Sequence, residues 1–350
     1  MIAQETVYLT LTGGGDDTPG GNTTFAGGSG TAADPYLIST PAQLDAVRNN
    51  LSAHYKLTSD INLAGWDWVP IGSIPYSGAV SFTGVFDGNN HIIKNMSIAD
   101  TKKYGSSGLF AGIQDGAVKN LDIVNCDIKI STSPGITIRT GSIAGDLVQG
   151  EISNCYNTGN IYIDSSSVPP AFVGGIVGSI ANSSIKSCFN TGSVKNLSSF
   201  PDSDFAEGYT GGITGVASNS SISNCYNAGS VEAVSDYTIG GIVGQIGYNS
   251  SVSSCYNRGN VKFNNPSFYG CGGSVTGYLY SSSSAQYCYF PDTDTKGIGD
   301  SYQSTATNVR ALTSTQLKQQ SAYVGFDFTN TWAISPTINN GYPYLRGMQP

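Results

Sequence analysis

The chain has 350 residues, of which 11% are charged, with 45 glycines, a net charge of −8 and a pI near 4.6. An acidic chain without clustered Lys and Arg excludes nucleic acid as a partner, because the phosphate backbone demands a basic face. No run of about 20 apolar residues is present, so no membrane-spanning helix is encoded, and residues 1–12 lack the charged start and apolar core of an export signal.

Residues 5–12 (ETVYLTLT) alternate like a closing strand, so 1–12 are expected to end a preceding domain or to form a tail. Residues 13–30 are Gly-rich with scattered polar residues and are expected to be a flexible linker. A short helix is expected over about 41–51, with Thr40 as N-cap, Pro41 in the first turn and Gln43 completing a capping box. Strands are expected at 55–57, 82–86 and 91–98, with a tight turn at Asp87-Gly88-Asn89-Asn90. Residues 31–99 thus read as an N-terminal cap and first coils.

From about 100 to 292 one phrase recurs six times: a glycine-framed apolar tetrad, a polar turn, then Ile or Val and a cysteine. The clearest copies are GGIVGSIANSSIKSCFNTGSV from Gly174, GGITGVASNSSISNCYNAGSV from Gly211 and GGIVGQIGYNSSVSSCYNRGNV from Gly240; looser ones start at Gly108, Gly141 and Gly273. The spacings of 33, 33, 37, 29 and 33 residues, with apolar runs too short for helices, predict an all-β solenoid whose units bury their apolar faces on one another. In the Gly174 copy, Ile176, Ile180, Ile185, Cys188 and Val194 are the expected inward residues. A second capping box, Thr313 to Gln316, opens a short helix in a C-terminal cap over 293–350. Short helical caps at both ends are expected to cover the open coil edges.

The fixed phase of Cys126, Cys155, Cys188, Cys225, Cys255 and Cys288 predicts a column of buried thiols filling a narrow corner, with Cys271 outside it. Disulfides and metal ligation are the alternatives; metal binding requires convergent ligands rather than a line of single thiols. Tyr156, Phe189, Tyr226, Tyr256 and Tyr289 form an aromatic column. Asn157, Asn190, Asn227 and Asn257 follow one residue later and are expected to form an inward or corner amide ladder, with a ligand-binding stripe as the other reading.

The tetrads GIVG and GITG followed by I-x-x-C-[YF]-N-x-G resemble the GLUG motif of bacterial surface proteins. GSGTAADPYLISTPAQLDAV (28–47), KLTSDINLAGWDWVPIG and FTGVFDGNNHIIKNMSI are similar to the opening of the same proteins and the closing WAISPTINNGYPYL to their C-terminal cap, so the resemblance covers about 27–347. It implies a right-handed parallel β-helix-like solenoid on a secreted or surface-attached bacterial protein. Many such proteins are described as adhesins, and some carry the repeats beside the catalytic domain of immunoglobulin-A-cleaving metallopeptidases.

That peptidase chemistry is not carried here: H-E-x-x-H is missing, and the only histidines are His54 and His91. No G-x-S-x-G elbow exists for serine-hydrolase chemistry. The enzymatic rival is a polysaccharide lyase or hydrolase, which needs paired carboxylates on one face. Asp115, Asp122 and Asp127 fall in one early coil, and Asp122 and Asp127 could share a face, but the later coils are nearly free of acids and solvated turn carboxylates are the better reading. Calcium is the one cofactor the sequence allows, through Asp292, Asp294, Gly297 and Asp300 in PDTDTKGIGD, residues that turn chemistry alone would also select.

The reading favoured is a non-catalytic, monomeric, extracellular or cell-surface solenoid for adhesion or display, binding a glycan or a surface protein. Its contact residues are expected in the long inter-repeat segment at Phe200, Asp202, Asp204, Phe205, Glu207 and Tyr209. Trp66, Trp68 and Tyr76 form a second aromatic cluster that either binds sugar or packs over the first coil.

Overall fold

The computed structural model describes residues 24–73, 80–99, 105–131, 137–164, 171–198, 208–234, 237–264, 271–294 and 296–348. Residues 1–12, Tyr76, Phe200, Asp202, Asp204, Phe205 and Glu207 lie outside them.

Each repeat makes one coil of short strands. In the Gly174 copy these are Ala171–Gly174, Val177–Ala181, the split pair Ser184–Lys186 and Phe189–Asn190, and Val194–Asn196. Each pairs in parallel with its counterpart one repeat on: Val177 with Thr214, Ile185 with Ile222, Asn190 with Asn227 and Val194 with Val231. The strands build a parallel β-solenoid of about six turns. Ile176, Ile180, Ile185, Cys188 and Val194 are all fully buried inside it.

Two local rules shape a coil. Where the first two strands meet, the tetrad glycine abuts backbone: a Cβ on Gly178 would sit 2.7 Å from the Phe172 carbonyl oxygen, and on Gly215 2.6 Å from that of Tyr209. Nothing larger than hydrogen fits that bend. Elsewhere the corners use left-handed residues, mostly asparagines such as Asn154, Asn182, Asn219 and Asn224, which tolerate that backbone best after glycine.

The register corrects the cysteine column. Cys155, Cys188, Cys225, Cys255 and Cys288 stack in it, but Cys155 pairs with Leu121 in the preceding coil, not with Cys126. Cys126 sits one corner further on, where the Cβ of a substituted Gly159 would meet its sulfur at 2.3 Å. The reason is that the cysteine comes later in the first copy, 126 − 108 = 18 residues after its glycine against 155 − 141 = 14 for Cys155, while Leu121 takes the column position. The seven thiols form no disulfide.

At the N-terminal end the expected helix is shorter, Pro41–Asp45, and continues as a 3-10 turn over Ala46–Asn49. Thr40 Oγ1 accepts from Gln43 N at 3.3 Å, while the Gln43 side chain returns to Ser39 N at 2.8 Å rather than to Thr40. The last residues of the expected linker are docked, with Phe25 stacked on Tyr36 at 4.5 Å and Ala26 N donating to Leu37 O. The expected tight turn at 87–90 is instead a bulged corner inside one continuous strand, Val85–Lys94, with Asn89 and Asn90 left-handed. Parallel pairing lets the chain turn a solenoid corner here without reversing.

The C-terminal expectation is corrected twice. Thr313 and Gln316 do form their reciprocal capping bonds, but only 3-10 turns follow, Gln316–Lys318 and Gln320–Ala322. Nor does this segment close the end of the coil stack. It lies along the flank, where Leu317, Tyr323, Phe326, Trp332, Leu345 and Met348 pack over the aromatic column. The terminal strand Thr305–Leu312 stays largely exposed and pairs on one side only among the described residues.

Candidate functional site

Of the nine contact residues expected from the sequence, Trp66, Trp68 and Tyr209 lie among the described residues, and all three pack into the fold. Trp68 is buried and its Nε1 donates to Leu109 O at 3.1 Å; Trp66 packs partly buried against the same core. Tyr209 belongs to the strand Gly208–Gly211, not to a loop, and is buried with its ring stacked on Phe172 at 5.4 Å. The aromatic column stacks at 4.5, 4.6 and 5.0 Å from Tyr156 through Phe189 and Tyr226 to Tyr256, and is covered by the C-terminal segment. The four asparagines point inward, fully buried.

The three acids that a glycan-cleaving site would need do not converge. Asp115 is an exposed left-handed turn residue. Asp127 is exposed on a separate strand stack and binds Lys129 at 2.6 Å. Asp122 instead lies on the aromatic column, between Ile92 and Tyr156. Burial raises its carboxyl to about 7, opposed by hydrogen bonding to the Tyr156 hydroxyl and reinforced by the charge of Asp60. Asp60 in turn binds His91 Nδ1 at 3.2 Å and Ile92 N at 3.1 Å, and that backbone bond leads the interactions lowering its carboxyl. In the calcium candidate, Asp300 is in the strand Ile298–Tyr302 and Gly297 is pressed against Phe290 and Val309. No three His, Cys, Asp or Glu residues converge among the described residues.

What the molecule does expose is a tyrosine platform. Tyr278 and Tyr280 are two apart in the strand Thr276–Tyr280 and so face the same way, and Tyr280 is in register with Tyr302 of the next coil. Their rings are near-parallel, 5.9 Å from Tyr278 to Tyr280 at 27° and 5.8 Å from Tyr280 to Tyr302 at 22°. Tyr248 joins edge-on to Tyr280 at 5.2 Å. Its backbone is left-handed, φ 40°, a strained state for an aromatic residue that places its ring outward. Tyr248 is 56% exposed and Tyr302 50%.

The platform stands on one wall of the glycine bend. Outward positions on that wall are Asp146, Ser179, Val216, Gln245, Tyr278 and Asp300 in successive coils. The facing wall carries Arg139, Phe172, Tyr209, Thr238 and Cys271. Side chains reach across: Arg139 Nε meets Asp146 Oδ1 at 3.3 Å, and the charge of Asp300 acts on the Cys271 thiol, which burial already raises. Asp146 is 1% exposed, and burial lifts its carboxyl to about 6 against the pull of Arg139. Arg139 lies 5.3 Å over the Phe172 ring. The platform is written in the sequence as Tyr-x-Tyr (278–280) and Tyr302, but the 22-residue last coil breaks the period that would have aligned them.

The fold and this trough define a parallel β-solenoid with an outward aromatic face. No family model matches the chain. It is 34% identical over 161 residues to a halomucin of Haloquadratum walsbyi, covering 40% of this chain and 2% of that protein. It is 36% identical over 131 residues to a candidate Gly-rich membrane protein of Evansella cellulosilytica, covering 35% and 14% respectively. The chain therefore spans a small part of the length of these curated relatives. Among solved structures, a candidate immunoglobulin A1 protease of Bacteroides ovatus superposes with a TM-score of 0.67 at 25% identity, over 92% of this chain and 95% of that one. An IgA1 protease matches with a TM-score of 0.51 at 18% identity, over 79% of this chain and 21% of its own, a likeness of fold alone. Among the described residues no helix is long and apolar enough to cross a membrane.

Proposed function

We propose that this chain is a non-catalytic solenoid module, displayed outside the cell or on its surface, that holds a glycan on the platform of Tyr248, Tyr278, Tyr280 and Tyr302. The observation that carries this reading is a cluster of four tyrosine rings on a rigid strand scaffold, with Tyr248 and Tyr302 largely open to solvent and Tyr278 and Tyr280 half-buried between them. Exposed apolar patches on a soluble face mark interaction sites, and tyrosine presents a flat apolar face with a polar tip at low entropic cost. Sugar rings offer the matching C–H faces and hydroxyls. The similarity to a halomucin and to proteins named as immunoglobulin A1 proteases agrees with a surface setting. The test is binding to an array of neutral and acidic polysaccharides: wild type is retained on a subset, and Tyr280→Ala with Tyr302→Ala releases it. Equal retention of the double variant would overturn the assignment.

A second reading, a glycan-cleaving enzyme, is favoured by one observation, the grouping of Asp60, His91, Asp122 and Tyr156. A carboxylic acid held protonated near neutral pH is a general-acid candidate. Product release from the retained polysaccharide that is abolished by Asp122→Asn would establish it; no release by wild type would remove it.

A further inference from the structure

The tyrosine platform occupies only one end of the trough, and the other end carries a second stack of planar groups. Arg139, Phe172 and Tyr209 lie in successive coils on the facing wall, the guanidinium 5.3 Å over Phe172 and Phe172 5.4 Å from Tyr209 at 12°. Asp146 fixes Arg139 from beneath and acts as a positioning residue. Between the two stations the walls offer Ser179, Val216, Thr238 and Gln245, all half-buried and free of charge. From Asp146 to Asp300 the wall rises through five coil steps, roughly 24 Å at about 4.8 Å per step.

Resting on the glycan-binding reading above, we infer that the trough takes a linear, neutral, ribbon-shaped glycan along its whole length, one sugar to a coil, held at both ends against the outward edges of the stacked aromatic groups. Three features select this ligand. A sugar unit is roughly as long as the coil-to-coil step of about 4.8 Å, so side chains in neighbouring coils meet a linear chain in phase. The strands flanking the trough are paired within their own stacks, so an extended peptide finds no backbone edge along it to extend. The charges at its two ends are Arg139 with Asp146 and Lys296 with Asp300, so neither end presents the unopposed cation that a polyuronate requires.

The experiment is calorimetric titration of the whole chain with β-1,4-linked gluco-oligosaccharides of two to six sugars. Affinity should climb with each added sugar, at least tenfold from the dimer to the hexamer. Phe172→Ala should weaken the hexamer about tenfold and leave the dimer unchanged, as expected for one lost aromatic contact of about 1.4 kcal/mol. Val216→Arg, which removes no contact between strands and obstructs the middle, should abolish the advantage of length, with thermal melts confirming that both variants fold. Equal affinity for dimer and hexamer, with both variants silent, would overturn the trough while leaving the tyrosine platform standing. If no oligosaccharide binds at any length, both readings fall. Preferential retention of an extended decapeptide that competes at Phe172 would also overturn the glycan assignment.

Discussion

Asn190 and Asn227 lie 37 residues apart in sequence and are joined by a 2.9 Å hydrogen bond from Nδ2 of the first to Oδ1 of the second. The same bond links Asn157 to Asn190 and Asn227 to Asn257, and the ladder ends on Ser274 Oγ at 2.9 Å. Each amide also closes a local ring, Nδ2 to the carbonyl and Oδ1 from the N–H of the glycine two residues on, as in Asn227 with Gly229. Every rung is thus saturated in a dry interior, where leaving a partner unmet is costly. Asn227→Ala should cost about 3 kcal/mol in urea unfolding, and Asn227→Asp no less, since a carboxylate faces the Asn257 oxygen with nothing to donate. A loss below about 1 kcal/mol would mean that neighbouring rungs re-pair around the gap.

Packing gives an independent test. Ile213 is fully buried, and its amide and carbonyl bond to the coils on either side, Ile242 O and Ile176 N. Rigid neighbours above and below cannot collapse into a void, so Ile213→Ala should cost about 2–5 kcal/mol. Lys262→Ala, at an exposed ion pair with Glu232, should change stability by less than about 0.5 kcal/mol. Comparable losses at the two sites would contradict a stability built coil on coil.

How much of this was legible in the sequence follows from which features are periodic. The inward isoleucines and the tetrad glycines recur from coil to coil and the ladder asparagines in four consecutive coils, and period alone places them. Cys126 misled because the motif was matched by its residue type, while the distance from its glycine already set it apart. The course of the C-terminal segment is invisible to period. It is fixed by single contacts, such as the Tyr256 hydroxyl to Pro343 O and Trp332 Nε1 to Asn224 Oδ1, made by residues 87 and 108 positions apart. The trough was hidden for a related reason: Arg139, Phe172, Tyr209, Thr238 and Cys271 share a position yet share no chemistry, so no motif marks them.

The thiols provide a prediction about access. Burial pushes Cys126 up to about 12 and lifts Cys155, Cys225 and Cys288 well above an ordinary thiol. Against the same burial, hydrogen bonds from the neighbouring thiols lower Cys188 and Cys255, but both are sealed inside the coils. Reaction requires the thiolate and an open path, so all six buried thiols should be inert in the folded chain. Cys271 is half-buried on the trough wall and should be the one thiol to react with a small disulfide reagent under native conditions, with all seven reacting in denaturant. Two or more fast equivalents would show that the cysteine column opens readily.

Stability should also depend on pH in an unusual direction. Asp122 is raised by burial from 3.8 to about 7 and Asp146 likewise to about 6. The folded chain therefore holds two protons that the unfolded chain releases near pH 4. Where the native state binds more protons, stability falls as pH rises, so the contribution is complete below about pH 4 and is lost on passing through pH 6 to 7. Asp60 works in the opposite sense, but its carboxyl is lowered and titrates below this window. Tyr156, which hydrogen-bonds Asp122, and Cys155 are the other ionisable groups that its charge reaches. The full linkage for Asp122 would approach 4 kcal/mol, and solvent at this half-open position reduces it to about 2 kcal/mol. Unfolding in urea should therefore need more denaturant at pH 5 than at pH 7.5. Asp122→Asn should flatten part of that slope, and adding Asp146→Asn most of the rest, because an amide keeps the neutral form at every pH. Equal midpoints at the two pH values for the unaltered chain, or an unchanged slope in the double variant, would show that these carboxyls titrate as solvated groups. The general-acid reading of Asp122 would then lose its basis.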